Sequence, residues 1–503
     1  MTSVSLKRRH SVAFDPSPLF RLPLELLEEI SYYFTRAEAV QVLTVNSTLH
    51  EIFANRIWRS ITSTDQTVWK APASAWTRYG HLVRSLVISD ELFIIVCMPN
   101  LPKLLKLEVF LDEPGYSIFE YEMPLLQRLD VKCFPESTAF QMVGAMAAAK
   151  WVAEAESRNQ NVSVNWSLRT DYSDRLDWLG DMLDTVTRPE HYSVTLRADD
   201  NLMKLSESNA AKLAVMLVNF TYDGRLRINE GSVLSAYSSF ITNSKHVFTK
   251  LQHLSIELTY DSSIDSDKIP KLRDTQFPVL DSIEIRAVRD SHVYRCGLKF
   301  DGDFSTVTKM QLTDCDNIIW SIVTPGCFTG VRDLTLSGVG WILNPRTLAR
   351  QFPVLFRLVI CESYGVDFSF SGAVQSGKAV QLQYLEELEI RFSHDFDEEI
   401  TADMFRFIFY HAPKLHSIDF SYGWFECSAL YEFVNNGVVN TSVRHLSVTL
   451  FRDEIEDGFN ALSSLLPNLE RLELIPFLNI KNDVRNELCN QYPFISLKEA
   501  EDE

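Results

Sequence analysis

Residues able to do chemistry are present in this sequence, but their spacing does not assemble them. Asp261, Asp265 and Asp267 look like the acidic half of a calcium-binding loop, yet the central Gly and terminal Glu that complete such a loop are missing. His394, Asp395, Asp397, Glu398 and Glu399 form an acidic loop better suited to a solvated face than to a metal site. The 11 His are dispersed, and no G-x-S-x-G, Walker-type loop or H-E-x-x-H occurs. The 8 Cys are scattered without a CxxC pair, as expected of small buried hydrophobes in a reducing compartment. The expectation is a non-catalytic protein with no metal and no cofactor.

What must hold such a chain together is set by its composition. With 503 residues, 46% of them hydrophobic and 23% charged, it has ample material for a core. A net charge of -19 repels phosphate backbones, so neither nucleic acid nor an anionic membrane is an expected partner. Proteins, among them ones with basic patches, remain as cargo. No apolar run approaches the ~18 residues of a spanning helix, so the protein is expected in the cytoplasm, the nucleus or both. Residues 1–19 form an expected flexible basic tail. Its Arg8-Arg9-His10-Ser11 reads as a solvated cluster, as a kinase recognition sequence with Ser11 the phosphosite, or as part of a nuclear-import patch.

Between 20 and 62 the pattern turns helical. RLPLELLEEISYYF places Leu22, Leu26, Leu27, Ile30, Tyr33 and Phe34 at helical spacing, with Pro23 near the helix start. A second helix is predicted around Ala37–Val45 and a third around Leu49–Ile61. Three short helices bury little apolar surface, so part of it should find a partner. Leu22-Pro23-x-Glu25-Leu26-Leu27-x-x-Ile30, then Val42 to Val45, then Ile57-Trp58-x-x-Ile61, resembles the F-box motif along its length. It departs from that motif at Tyr33-Phe34 and at Asn46-Ser47-Thr48. The resemblance implies docking of a Skp-type adaptor, and through it a cullin, by Leu22, Pro23, Leu26, Ile30, Val45 and Trp58.

From 63 to 480 the sequence repeats an L-x-x-L-x-L triplet, mostly every 20 to 30 residues. The copies are Leu104/Leu107/Val109, Leu126/Leu129/Val131, Leu251/Leu254/Ile256, Leu280/Ile283/Ile285, Val307/Met310/Leu312, Val331/Leu334/Leu336, Leu355/Leu358/Ile360, Leu385/Leu388/Ile390, Leu415/Ile418/Phe420, Val443/Leu446/Val448 and Leu469/Leu472/Leu474, with Val83/Leu86/Ile88 opening the array. The final L-x-L reads as a short strand, a helical run follows, and Pro often closes the unit, as in FPVL and LPNL. Between about 135 and 250 the signature fades. Strands are still predicted at Val162–Leu168, Tyr192–Leu196 and Leu226–Ile228, and helical runs at Leu176–Val186 and Ala210–Leu217. The array resembles the leucine-rich repeats of F-box proteins. The implied fold is an α/β solenoid: an N-terminal three-helix F-box, then a curved leucine-rich-repeat array with a parallel sheet on its concave face and helices on its convex face.

Residues flanking the inward leucines, Phe110 and Arg391 among them, should line the concave face, and loops leaving the later strands add Trp341, Tyr364, Phe392, Tyr422, Trp424 and Phe451 as candidate target contacts. The resemblance implies the substrate-recognition subunit of an SCF-type ubiquitin ligase. The alternative is an F-box scaffold working with the adaptor without ubiquitin transfer. Residues 481–503 lack another clear strand and read as a cap and acidic tail.

Overall fold

The protein is represented by a computed structural model. It describes residues 22–43, 47–62, 71–88, 101–111, 115–133, 138–169, 177–198, 205–222, 240–241, 245–259, 271–288, 299–313, 326–338, 342–363, 367–368, 381–392, 400–421, 428–449, 455–475 and 495–497. The chain forms two compact units, 1–166 with 185–187, and 167–184 with 188–503.

The first unit starts with three helices, α1 (Leu24–Ser31), α2 (Arg36–Val42) and α3 (Ser47–Trp58). The turn into α2 is closed by a capping box. The Thr35 hydroxyl accepts from the Glu38 amide at 3.3 Å, and the Glu38 carboxylate accepts from the Thr35 amide at 2.8 Å. Those hydrogen bonds hold the Glu38 carboxyl below the ordinary carboxylate range. α3 then runs almost directly into a strand, β1 (Ser60–Ile61), which pairs in parallel with β2 (Ser85–Ile88). Ile61 therefore ends a strand rather than the third helix. The repeat array opens at β1, one strand before the expected Val83/Leu86/Ile88. Next come α4 (Ala73–Tyr79), which precedes β2, and then β3 (Lys106–Leu111), β4 (Arg128–Cys133), α5 (Thr138–Ser157) and β5 (Ser163–Arg169). β2, β3 and β4 are parallel neighbours, and the Ser163 amide donates to the Gln127 carbonyl at 2.8 Å.

The second unit repeats this strand, turn and helix arrangement through α6 (Asp177–Thr185), β6 (Tyr192–Ala198), α7 (Glu207–Met216), β7 (Leu217–Tyr222), β8 (His253–Thr259), β9 (Ser282–Val288), β10 (Lys309–Thr313) and β11 (Asp333–Ser337). It continues through α8 (Pro345–Gln351), β12 (Arg357–Ser363), β13 (Glu387–Phe392), α9 (Ala402–Arg406), β14 (Ser417–Ser421), α10 (Ser428–Asn435), β15 (His445–Thr449), α11 (Ile455–Leu465), β16 (Arg471–Ile475) and β17 (Ile495–Leu497). Consecutive strands from β6 to β17 pair in parallel.

The register assigns the fold. Leu254, Ile283, Met310, Leu334, Leu358, Leu388, Ile418, Leu446 and Leu472 stand opposite one another, strand after strand, and all are buried. Two residues on, Ile256, Ile285, Leu312, Leu336, Ile360, Ile390, Phe420 and Val448 form a second buried column. These are the predicted L-x-L positions. Pleating sends the residue between them, Glu284, Gln311, Thr335 or Glu389, to the open side. The chain is thus an α/β solenoid of leucine-rich-repeat type.

A third buried column lies ahead of each strand. Three residues before each first leucine stands Phe248, Phe277, Phe304, Phe328 or Phe352, each no more than 1% exposed. Phe248 stacks on Phe277 at 5.0 Å between centroids, and Phe304 on Phe328 at 5.4 Å. The carbonyl of each Phe accepts the amide of its repeat's first leucine or valine at 3.0 to 3.3 Å. The amides of Phe248 and Phe304 reach forward to the carbonyls of Gln276 and Cys327, both at 2.7 Å. Ring stacking and backbone bonding thus join adjacent turns. At one such turn the packing leaves no room for a side chain, because a Cβ on Gly330 would stand 1.8 Å from the Ser305 carbonyl oxygen. Gly330→Ala is expected to cost about 1–3 kcal/mol, seen as a lowered urea midpoint.

Two strand expectations change, and a third is not tested. Residues 495–497, assigned to a cap, pair with Leu472–Leu474 as a further strand. The predicted helical run Ala210–Leu217 stops at Met216, and Leu217 opens β7. The predicted strand at Leu226–Ile228 lies outside the described residues.

Candidate docking surfaces

α1 is apolar on two sides. One side faces inward: Leu27 is buried, the Ser31 hydroxyl donates to the Glu28 carbonyl at 2.6 Å, and Phe34 packs edge-on against Phe53 at 5.1 Å. The other side faces solvent through Leu26 and Tyr33, seven residues apart, at 45% and 83% exposure, while Leu24 at 54%, Tyr32 at 57% and Val40 of α2 at 37% are exposed elsewhere on these helices, the Tyr32 hydroxyl accepting from Arg59 Nη1 at 3.2 Å. Of the predicted adaptor contacts, Pro23 and Leu26 are exposed and Leu22 and Ile30 half-buried. Val45 lies outside the described residues. Trp58 does not belong to this surface. It is 4% exposed, edge-on to Trp76 at 5.0 Å and against Tyr79 at 5.4 Å, so it fastens α3 to α4. Leu24, Tyr32, Tyr33 and Val40 were absent from the sequence-based set. Of these only Tyr33 carried a sequence signal, as part of the departure at Tyr33-Phe34.

His50 also fastens α3 to α4. Its Nδ1 donates to the Leu43 carbonyl at 2.9 Å, and its Nε2 accepts from the Tyr79 hydroxyl at 2.7 Å. A cleft of about 770 Å³ opens beside this bridge, rimmed by Glu51, Asn55, Arg78 and His81.

In the first unit, the open face of β3 to β5 carries an ion-pair network. Asp130, its side chain 8% exposed, accepts from Arg128 Nε at 2.9 Å and Asn165 Nδ2 at 2.5 Å, with Lys106 Nζ at 3.2 Å. Glu108, at 15%, accepts from Lys132 Nζ at 2.6 Å. Burial alone would push the Asp130 carboxyl up, but hydrogen bonds from Asn165, Arg128 and Lys106 hold it below its ordinary value. A folded-state value below the unfolded one means the network's contribution is complete above about pH 4 and is lost as pH falls through the folded value. Asp130→Asn should cost about 1–3 kcal/mol at neutral pH. The gap between wild type and variant should close in urea titrations run below about pH 4.

In the second unit, Glu389 lies recessed between Arg357, at 2.8 Å, and Arg391. Arg391 is exposed. Phe392 is corrected: it is 3% exposed, because it shares the inward side of β13 with Leu388 and Ile390. Phe110 is half-buried beneath Lys132, whose Nζ lies 5.0 Å from the ring centroid. Trp341, Tyr364, Tyr422, Trp424, Phe451 and Ser11 lie outside the described residues, as do the Asp261 and His394 clusters. Among the described residues, no group of three or more His, Cys, Asp or Glu is placed to hold a metal, and no helix is long and apolar enough to cross a membrane.

No family model matches this sequence, and neither does any curated protein. Solved structures do show likenesses. The leucine-rich repeat domain of APL1B matches at 12% identity and a TM-score of 0.28, covering 91% of this chain and 93% of that one. A chain of the Rad7 and Elc1 complex in yeast matches at 12% identity and a TM-score of 0.28, covering 94% and 95%. The parallel register carries the fold assignment without them.

Proposed function

We propose that this chain is a non-catalytic adaptor, in which the N-terminal helices dock a Skp-type protein linked to a cullin and the repeat array holds a target protein. One observation carries the reading. Of the twelve large apolar side chains exposed among the described residues, five (Leu24, Leu26, Tyr32, Tyr33 and Val40) fall within a single stretch of seventeen residues. Singly exposed apolar residues are ordinary, whereas a cluster on a small helical module marks a partner surface. The array contributes rigidity: strands in register present fixed side chains, and a bound target is held near the ubiquitin-carrying enzyme, which supplies proximity rather than bond chemistry.

The test is affinity capture from lysate with tagged wild-type chain and with Leu26→Asp/Tyr33→Asp. Capture of a Skp-type protein and a cullin supports the ligase reading, and capture of the adaptor without cullin supports the scaffold.

A further inference from the structure

The net charge of -19 predicts an acidic surface, yet the open face of β3 to β5 has the opposite character. Its two carboxylates are the recessed groups, with Asp130 at 8% and Glu108 at 15% exposure. The cations stand outside them, with Lys106 at 37%, Arg128 at 54% and Lys132 at 49%. Three cations overlie two acids, and Asp130 accepts from Arg128, Lys106 and Asn165 at once. Among the described residues Arg128 engages Asp130 through Nε, and its side chain is 54% exposed. A guanidinium fork suits bidentate binding of a carboxylate. Lys132 lies over the Phe110 ring and so pairs its charge with an apolar surface. The open face of the second unit also sets exposed cations over recessed acids, Arg357 and Arg391 over Glu389 and Arg471 over Glu473. Among its described residues, however, the acids Glu284, Asp333, Glu387, Glu389, Asp419 and Glu473 outnumber the cations Arg286, Lys309, Arg357, Arg391 and Arg471, whereas on β3 and β4 the cations are in excess.

We propose that the open face of β3 to β5 docks an acidic protein segment, recognised by Arg128, Lys132 and Lys106 through its carboxylates. This rests on the adaptor reading and deepens it by naming the chemical class of one target segment. Charge complementarity selects the occupant. A polyanion as long as nucleic acid would extend beyond this local patch into the field of a strongly acidic chain, whereas a short acidic segment need not.

The test uses the full chain and fluorescence anisotropy with labelled peptides of alternating Glu and Ser, with counterparts carrying Gln or Lys for Glu, and with a single-stranded oligonucleotide. The Glu peptide should bind, while the Gln and Lys peptides should not. Arg128→Glu/Lys132→Glu should weaken Glu-peptide binding at least about tenfold. Because the Arg128 change disturbs Asp130, Lys132→Gln alone is measured alongside. It should weaken binding about threefold with only a small drop in melting midpoint, because Lys106 still pairs with Glu108. Equal binding of the Lys peptide, unchanged affinity in both variants, or tighter binding of the oligonucleotide would overturn the proposal. Adaptor capture by the same variants separates the two readings. Capture retained with no Glu-peptide binding sinks this proposal alone, and Glu-peptide binding retained with no capture by wild type sinks the adaptor reading alone.

Discussion

Leu26→Asp/Tyr33→Asp should abolish capture of a Skp-type adaptor while leaving the repeat array folded. Both side chains are largely in solvent, at 45% and 83% exposure, so the free protein loses little packing by their replacement. Exposed substitutions of this kind usually change stability within about 0.5 kcal/mol. In a complex the same positions would be desolvated, and a carboxylate there would be buried without a partner. Apolar anchors at the centre of an interface are each worth about 2 kcal/mol or more. The pair should therefore weaken binding at least about a hundredfold, even allowing for non-additivity. Leu27→Ala is the contrasting control. Leu27 is 3% exposed on the inward side of α1, so its truncation should lower the melting midpoint along with any loss of capture. If the double variant captures the adaptor as well as wild type does, the outward stripe of α1 is not the docking surface.

The repeat array was legible in the sequence because its strands obey one simple rule. Alternation puts every second residue inward, and the predicted L-x-L pairs are the ones that align across β8 to β16. The same rule, applied strictly, would have placed Phe392 inward, since it follows Leu388 and Ile390 by steps of two. β7 was misread for a definite reason. Its register with β6 shifts by one residue between Val194 and Thr195, which leaves Val218 outside the alternation. The buried Leu217 and Phe220 are thereby three apart, a helical spacing, and they follow Ala210 and Leu213 without a break. β1 and β17 were missed because two- and three-residue strands carry too little pattern to register alone.

Surface features were less legible, because exposure depends on neighbours that the sequence does not display. Trp58 sits at the motif position expected to meet the adaptor, yet Trp76 and Tyr79 of α4 cover it. Net charge misled in the same way. The total of -19 says nothing about which charges are recessed, and on β3 and β4 the acids lie below and the cations above.

The Phe column was overlooked although its signal is present in FPVL, read earlier only as a proline break. Its importance is testable at Phe304, which is 1% exposed and packs against Phe300 at 5.4 Å, Phe328 at 5.4 Å and Phe277 at 6.4 Å. Phe304→Ala should cost about 3–5 kcal/mol, because a buried ring is removed from a site whose walls are backbone-anchored and collapse poorly. Those anchors are the Phe304 amide on the Cys327 carbonyl at 2.7 Å and the Val307 amide on the Phe304 carbonyl at 3.0 Å. Phe304→Leu keeps most of the volume and should cost markedly less, consistent with Leu382 at the equivalent position of a later repeat, where it is 3% exposed. In a solenoid each repeat is stabilised chiefly by its neighbours, so a weakened central turn should uncouple the two sides. Urea unfolding followed by far-ultraviolet circular dichroism should then change from one transition to a broadened or two-step one in Phe304→Ala, with Phe304→Leu remaining sharp. A single sharp transition at the wild-type midpoint for Phe304→Ala would mean that the leucine columns alone hold the repeats together.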